Sequence, residues 1–282
     1  MPFAFARRIE RGATSADLLK HVALRSFLLI LVSNILSNID GGKPRPVLQL
    51  INVLSQIGLG YFLCFLITRM RFSLQVFSAL LMLFGYWTLF VFFPGPAGPF
   101  SKTGNIGDVI DLKWLGYNYP DGYVSINFLD NATTILFGCW AGMLLQSKKP
   151  DKHKLKILLG CAAAALVIGL ALEPVNPMVK RLWSASFTFY SAGWVIFMLA
   201  AFFWLVEVRQ YRRWMLPMTV LGMNSMFMYC LWHSLGGWVN DSIGEFTGRF
   251  WYLGDFGAIP QRLSRSASCG TSVIGCISER FS

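Results

Sequence analysis

The chain is short of charge, and that shortage excludes most soluble architectures. Charged residues make up 14% of its 282 residues, where soluble globular proteins carry about 25%. Histidine occurs three times and acidic residues fourteen times. The six cysteines form no Cys-x-x-Cys or Cys/His spacing, so nothing in the sequence prescribes a metal site. Cys64, Cys139, Cys161 and Cys230 fall inside apolar stretches and read as small buried hydrophobes. The alternating pattern of a barrel strand is also missing.

What is present is apolar and aromatic. Apolar residues reach 55%, with 24 Phe and 10 Trp. They gather in blocks of roughly 17–24 residues, the length that crosses about 30 Å of hydrocarbon as a helix. Seven blocks are predicted as spans: 21–37, 48–68, 72–93, 130–146, 155–172, 184–206 and 214–233. Only helices or closed barrels satisfy the backbone in lipid, so the expected class is all-α, a polytopic transmembrane helix bundle of about seven spans. Small residues within the blocks, Gly138, Gly142 and Ala162–Ala165, suit close helix packing.

The net charge of +11 does not point to nucleic acid, because the basic residues sit in short clusters between apolar blocks. They point instead to membrane sidedness. Arg7, Arg8, Arg11, Lys20, Arg69, Arg71, the Lys148–Lys156 cluster and Arg209–Arg213 fall on one side if the chain alternates from a cytoplasmic N-terminus. That side receives roughly twice the basic residues of the other, as cytoplasmic loops do. The long loop at about 94–129 then lies outside. Its length favours function, and Trp114, Tyr117, Tyr119 and Tyr123 favour an ordered lid or interfacial segment.

Both ends read as irregular. MPFAFARRIERG looks like the cytoplasmic end of a spanning helix, and from about residue 264 the chain turns small and polar. Codons for Cys269–Phe281 can be chosen so that a shifted frame reads WYLCYWLYKRKIF, an aromatic span closing in a basic cluster. The expectation is a transmembrane domain over 1–263, starting late, with an aberrant frameshifted tail over 264–282.

Five segments in order then carry a resemblance: MPFAFARR with VLSQIGLGYFLCFLI, YVSINFLDNATTILFGCWAG, NPMVKRLWSASFTFYSAGW and LPMTVLGMNSMFMYCLWH. Together they resemble the transmembrane acyltransferases typified by heparan-α-glucosaminide N-acetyltransferase, which include many bacterial relatives. The resemblance implies transfer of an acetyl group from cytoplasmic acetyl-CoA, the donor substrate, to an acceptor on the far side, an amino sugar or glycan. It implies an integral protein of a bacterial inner membrane, in contact with lipid and compatible with a homodimer. The family's key histidine lies in a first external loop that this chain does not contain, so no catalytic residue is retained and the chain by itself is expected to be inactive.

The remaining candidates are binding residues, each with a plainer alternative. On the acceptor side they are His233, Asn224, Ser225, Lys180, Trp183 and Asn127. An interfacial histidine, interhelical hydrogen bonding and a basic-aromatic anchor explain most of them nearly as well. Arg25 is the candidate for CoA phosphates, against simple snorkelling to the headgroups. Asn34, Asn38, Asn52 and Gln56 pose the same choice, and packing is the better reading. A multi-pass transporter of a small polar or glycan substrate is the rival function, since polar groups inside spans also mark a substrate path.

Overall fold

A computed structural model describes residues 12–39, 48–119, 121–212, 215–233 and 235. The expectations placed on the first residues and on the tail beyond 263 lie outside these. The chain divides into two units, 1–212 and 213–282. Among the described residues the regular structure is helical throughout.

In the first unit the helices are α1 (Ser15–Ile39), α2 (Val53–Thr68), α3 (Phe72–Phe92), α4 (Ile106–Leu115), α5 (Phe128–Gln146), α6 (Asp151–Leu172) and α7 (Ala185–Phe203). A single 3-10 turn, Ser125–Asn127, leads into α5, and another, Lys180–Leu182, precedes α7. A π turn, Trp204–Val208, extends α7. Among the described residues five helices are long and apolar enough to cross a membrane: Ser15–Asn38, Phe72–Phe92, Ser125–Gln146, Asp151–Leu172 and Ala185–Val208. They leave Phe27, Phe77, Phe84 and Val167 about 60% exposed or more, a surface suited to lipid and costly in water. The chain is an integral membrane protein.

The block at 48–68 is helical only from Val53. Residues 48–51 stay non-helical because polar side chains take over their backbone groups. Gln49 N–H donates to Asn34 Oδ1 at 2.7 Å, Ser55 Oγ donates to the Gln49 carbonyl at 3.0 Å, and Gln56 Nε2 donates to the Leu50 carbonyl at 2.9 Å. Irregular backbone persists at membrane depth only where it is satisfied in this way. Asn34 and Gln56 therefore do the packing work expected of them.

The core sits between helices. Cys64 and Ile67 of α2 pack with Ala79 of α3 and with Leu136 and Cys139 of α5. Helices α2 and α5 approach closely at Gly60, where a Cβ would stand 3.3 Å from the Ala132 backbone nitrogen. The most extensive pairing is α6 with α7. There a Cβ on Gly169 would lie 2.7 Å from the Tyr190 backbone nitrogen, so hydrogen at that position lets the two backbones meet. Gly138, expected to serve the same purpose, faces open space.

The second unit begins with α8 (Met215–Met223), turns at Asn224 and is helical again over 225–233. The block 214–233 is thus interrupted, where the sequence reading placed one span. Asn competes with helical hydrogen bonding, and Gly222 nearby is a poor helix former.

Candidate functional site

One set of buried polar side chains in the first unit meets at the end of the bundle where α3 finishes and α5 begins. The loop between them is ordered. Asn105 caps α4, accepting from Asp108 N–H at 3.2 Å, and Asp108 Oδ2 accepts from Gly104 N–H at 2.6 Å. This helix delivers Asp111, 2% exposed, to the start of α5, where its Oδ2 accepts from Ser125 N–H at 2.8 Å. The Ser125 carbonyl in turn accepts from Gln56 Nε2 at 3.0 Å. One residue, Ser125, therefore ties α4, α2 and the start of α5 together through its backbone N–H and carbonyl. Burial pushes the Asp111 carboxyl up to about 6, against the pull of the Ser125 N–H and with a smaller push from Asp108. Trp114, expected in an ordered segment, lies in α4 with its ring 80% exposed.

Tyr86, fully enclosed near the end of α3, organises the next layer. Its hydroxyl lies 2.8 Å from Asn127 Oδ1 and 2.7 Å from the Leu182 carbonyl, and donates its one proton between them. Asn127 Nδ2 donates to the Arg181 carbonyl at 2.6 Å. Asn127 is thereby joined to the Lys180–Leu182 turn, two sites that are 54 residues apart in sequence. The turn ends on Trp183 with φ 52°, a left-handed conformation that is unusual for a bulky side chain. Its indole N–H donates to Thr134 Oγ1 at 3.2 Å, and its ring meets Phe187 edge-on at 5.5 Å. Lys180 is exposed beside it.

Three of the acceptor-side candidates, Asn127, Lys180 and Trp183, thus share one end of the bundle. Arg25 is placed elsewhere, with its guanidinium 5.4 Å over the Tyr61 ring of α2. Asn224, Ser225 and His233 belong to the second unit. Within it Asn224 and Ser225 are exposed, and the His233 ring stacks on Tyr229 at 6.0 Å and 8°.

Two members of this end escaped the sequence reading. Tyr86 sits inside an apolar block and gives no signal of its own. Asp130 stands at the first position of the apolar block 130–146, and an ionisable residue at a span's border is a functional candidate by default. The structure buries it fully in the first turn of α5, and among the described residues neither carboxylate oxygen has a hydrogen-bond partner. At another place on the first unit a cavity of about 570 Å³ is lined by Pro150, Asp151, Lys152, His153, Lys156, Glu207 and Val208. It gathers the basic loop with two acidic residues, and none of the predicted site residues lines it.

No family model matches the chain. It is similar to human heparan-alpha-glucosaminide N-acetyltransferase, 24% identical over 285 residues. That match covers 78% of this chain and 43% of the human protein, so the chain spans less than half the length of the relative and stands in a distant relationship to it.

Proposed function

We propose that this chain forms the acceptor-side part of a membrane-embedded acyltransferase, which moves an acetyl group from cytoplasmic acetyl-CoA to an amino sugar or glycan on the outer face. The observation that supports this reading best is the polar end, with its link from Asn127 through Tyr86 to the Lys180–Trp183 turn. The 24% similarity to an acetyltransferase points to the same chemistry.

A sugar needs hydroxyl partners, an aromatic face and, for an amino sugar, a negative group. Asn127, Trp183 and the buried acids Asp111 and Asp130 are residues of that kind at one end. Exposed Lys180 adds a positive charge for an anionic substituent on a glycan. His233, Asn224 and Ser225, which belong to the second unit, are proposed as acceptor-binding residues of that unit by itself. Arg25 is assigned to the CoA phosphates, a role its planar guanidinium suits. The expected topology puts the acceptor outside and the donor inside, with the N-terminus in the cytoplasm of a bacterial cell.

The test supplies acetyl-labelled acetyl-CoA to inside-out and right-side-out membrane vesicles carrying the native gene product, with glucosamine as acceptor. Label should reach the sugar only when acetyl-CoA meets the cytoplasmic face. Uptake of unmodified sugar with no labelled product would replace the transferase by a transporter.

A further inference from the structure

Asp130 is the least expected group in the molecule. It is 0% exposed, and among the described residues both its oxygens lack a hydrogen-bond donor. Among the described residues no ion pair involves it. A carboxylate held in that way is costly unless a cation or strong donor completes it, and such an orphan calls for an explanation.

Its surroundings say where a partner would enter. Asn127, three residues before it on the chain, holds the Arg181 carbonyl at 2.6 Å. Thr134, four residues after it, accepts from the Trp183 indole at 3.2 Å and donates to the Asp130 carbonyl at 3.2 Å. The Lys180–Trp183 turn is therefore pinned at Asn127, just before α5, and at Thr134 within it, on either side of Asp130 in the sequence. Tyr86 adds a third pin through the Leu182 carbonyl. These three bonds are all made by side chains, and Trp183 carries backbone strain at φ 52°. The turn can thus be released without unwinding a helix.

We infer that Asp130 is the ammonium-binding carboxylate of the acceptor site, covered at rest by the Lys180–Trp183 turn. This rests on the acyltransferase reading above. An amino sugar arrives protonated, and its nitrogen has no lone pair for attack until a proton leaves. The Asp130 carboxylate takes that proton, giving the free amine and a neutral carboxylic acid. The amine nitrogen then bonds to the acyl carbon of the thioester, the carbon–sulfur bond breaks, and the proton shed by nitrogen leaves with the thiol. A charged hydrogen bond to a buried carboxylate also selects amine over hydroxyl acceptors.

The experiment reads binding directly. Membranes containing the full chain are treated with dicyclohexylcarbodiimide, and modification of Asp130 is followed by peptide mass spectrometry. Glucosamine at about ten times its dissociation constant should slow the modification about tenfold, while glucose should leave it unchanged. Equal protection by both sugars, or none by glucosamine, overturns the assignment.

In the acetyl-transfer assay Asp130→Asn should raise the KM for glucosamine about tenfold or more, as loss of a charged hydrogen bond does. An unchanged KM overturns it as well. Should that variant fail to fold, the protection measurement on the unaltered chain still decides. Glucosamine-specific protection together with a native gene product that transfers no acetyl group keeps the amine site and removes the transferase. Transfer without protection keeps the transferase and removes the site.

Discussion

The α6/α7 pair and the polar end are built on opposite terms. Between α6 and α7 the contact is backbone against backbone. Gly169 and Gly193 let the helices meet, and Ala162 and Ala200 are fully buried beside them. Lipid is as apolar as a side chain, so close packing drives that association. The polar end adds hydrogen bonds between Tyr86, Asn127, Arg181 and Leu182, and among the described residues it leaves Asp130 without a hydrogen-bond partner. The first arrangement is suited to holding shape. The second retains an unsatisfied carboxylate, the kind of group that calls for a partner.

The harshest way to break this contrast is Gly169→Leu. The new side chain meets the Tyr190 backbone nitrogen, which cannot move aside as a flexible side chain would. A loss of about 3 kcal/mol is expected, as for severe overpacking, measured by denaturant unfolding in detergent. Acetyl transfer should fall only in proportion to the folded fraction.

Tyr86→Phe tests the other region. It keeps the ring and removes the donor to Asn127 and Leu182, at a stability cost of about 1 kcal/mol. Acetyl transfer by the native gene product should fall about tenfold or more, because Asn127 loses the donor that positions it. A variant losing stability and activity in equal measure would make this end mere scaffolding.

A smaller effect sharpens the electrostatics. Asp111 has its folded pKa raised to about 6, above about 3.9 for a free Asp. Its contribution to stability is present in full below about pH 4 and is lost as pH rises through about 6. Asp111→Asn should flatten that part of the stability–pH curve, read as melting temperature from pH 4 to 7. An unaltered slope would show that Asp111 is not the group responsible. Least of all should change with Gly138→Ala, which meets no atom within 4 Å. A shift within about 0.5 kcal/mol is expected, and a larger one would mean that α5 packs there against another surface.

Much of the bundle was legible in advance. The blocks at 72–93, 155–172 and 184–206 became α3, α6 and α7 with ends displaced by a few residues at most, since nothing but a helix satisfies a long apolar run in lipid. The block at 48–68 misled at its start, because apolarity does not reveal that Asn34, Ser55 and Gln56 will hold the Gln49 and Leu50 backbone in a non-helical form. Asn127, Lys180 and Trp183 were legible as candidates through residue type and resemblance. Their meeting was not, since it depends on Tyr86, whose partners are 41 and 96 residues away.

The sequence by itself determined the solvent of this protein and its class of fold. Block length and the shortage of charge are summed properties of the chain, and they do not depend on which helix lies beside which. Tertiary structure alone decided that Asp130 is buried with no hydrogen-bond partner among the described residues, and that the turn before α7 is fastened on either side of it in the sequence. Burial and hydrogen-bond satisfaction are properties of neighbours, and the chain acquires neighbours only when its helices pack.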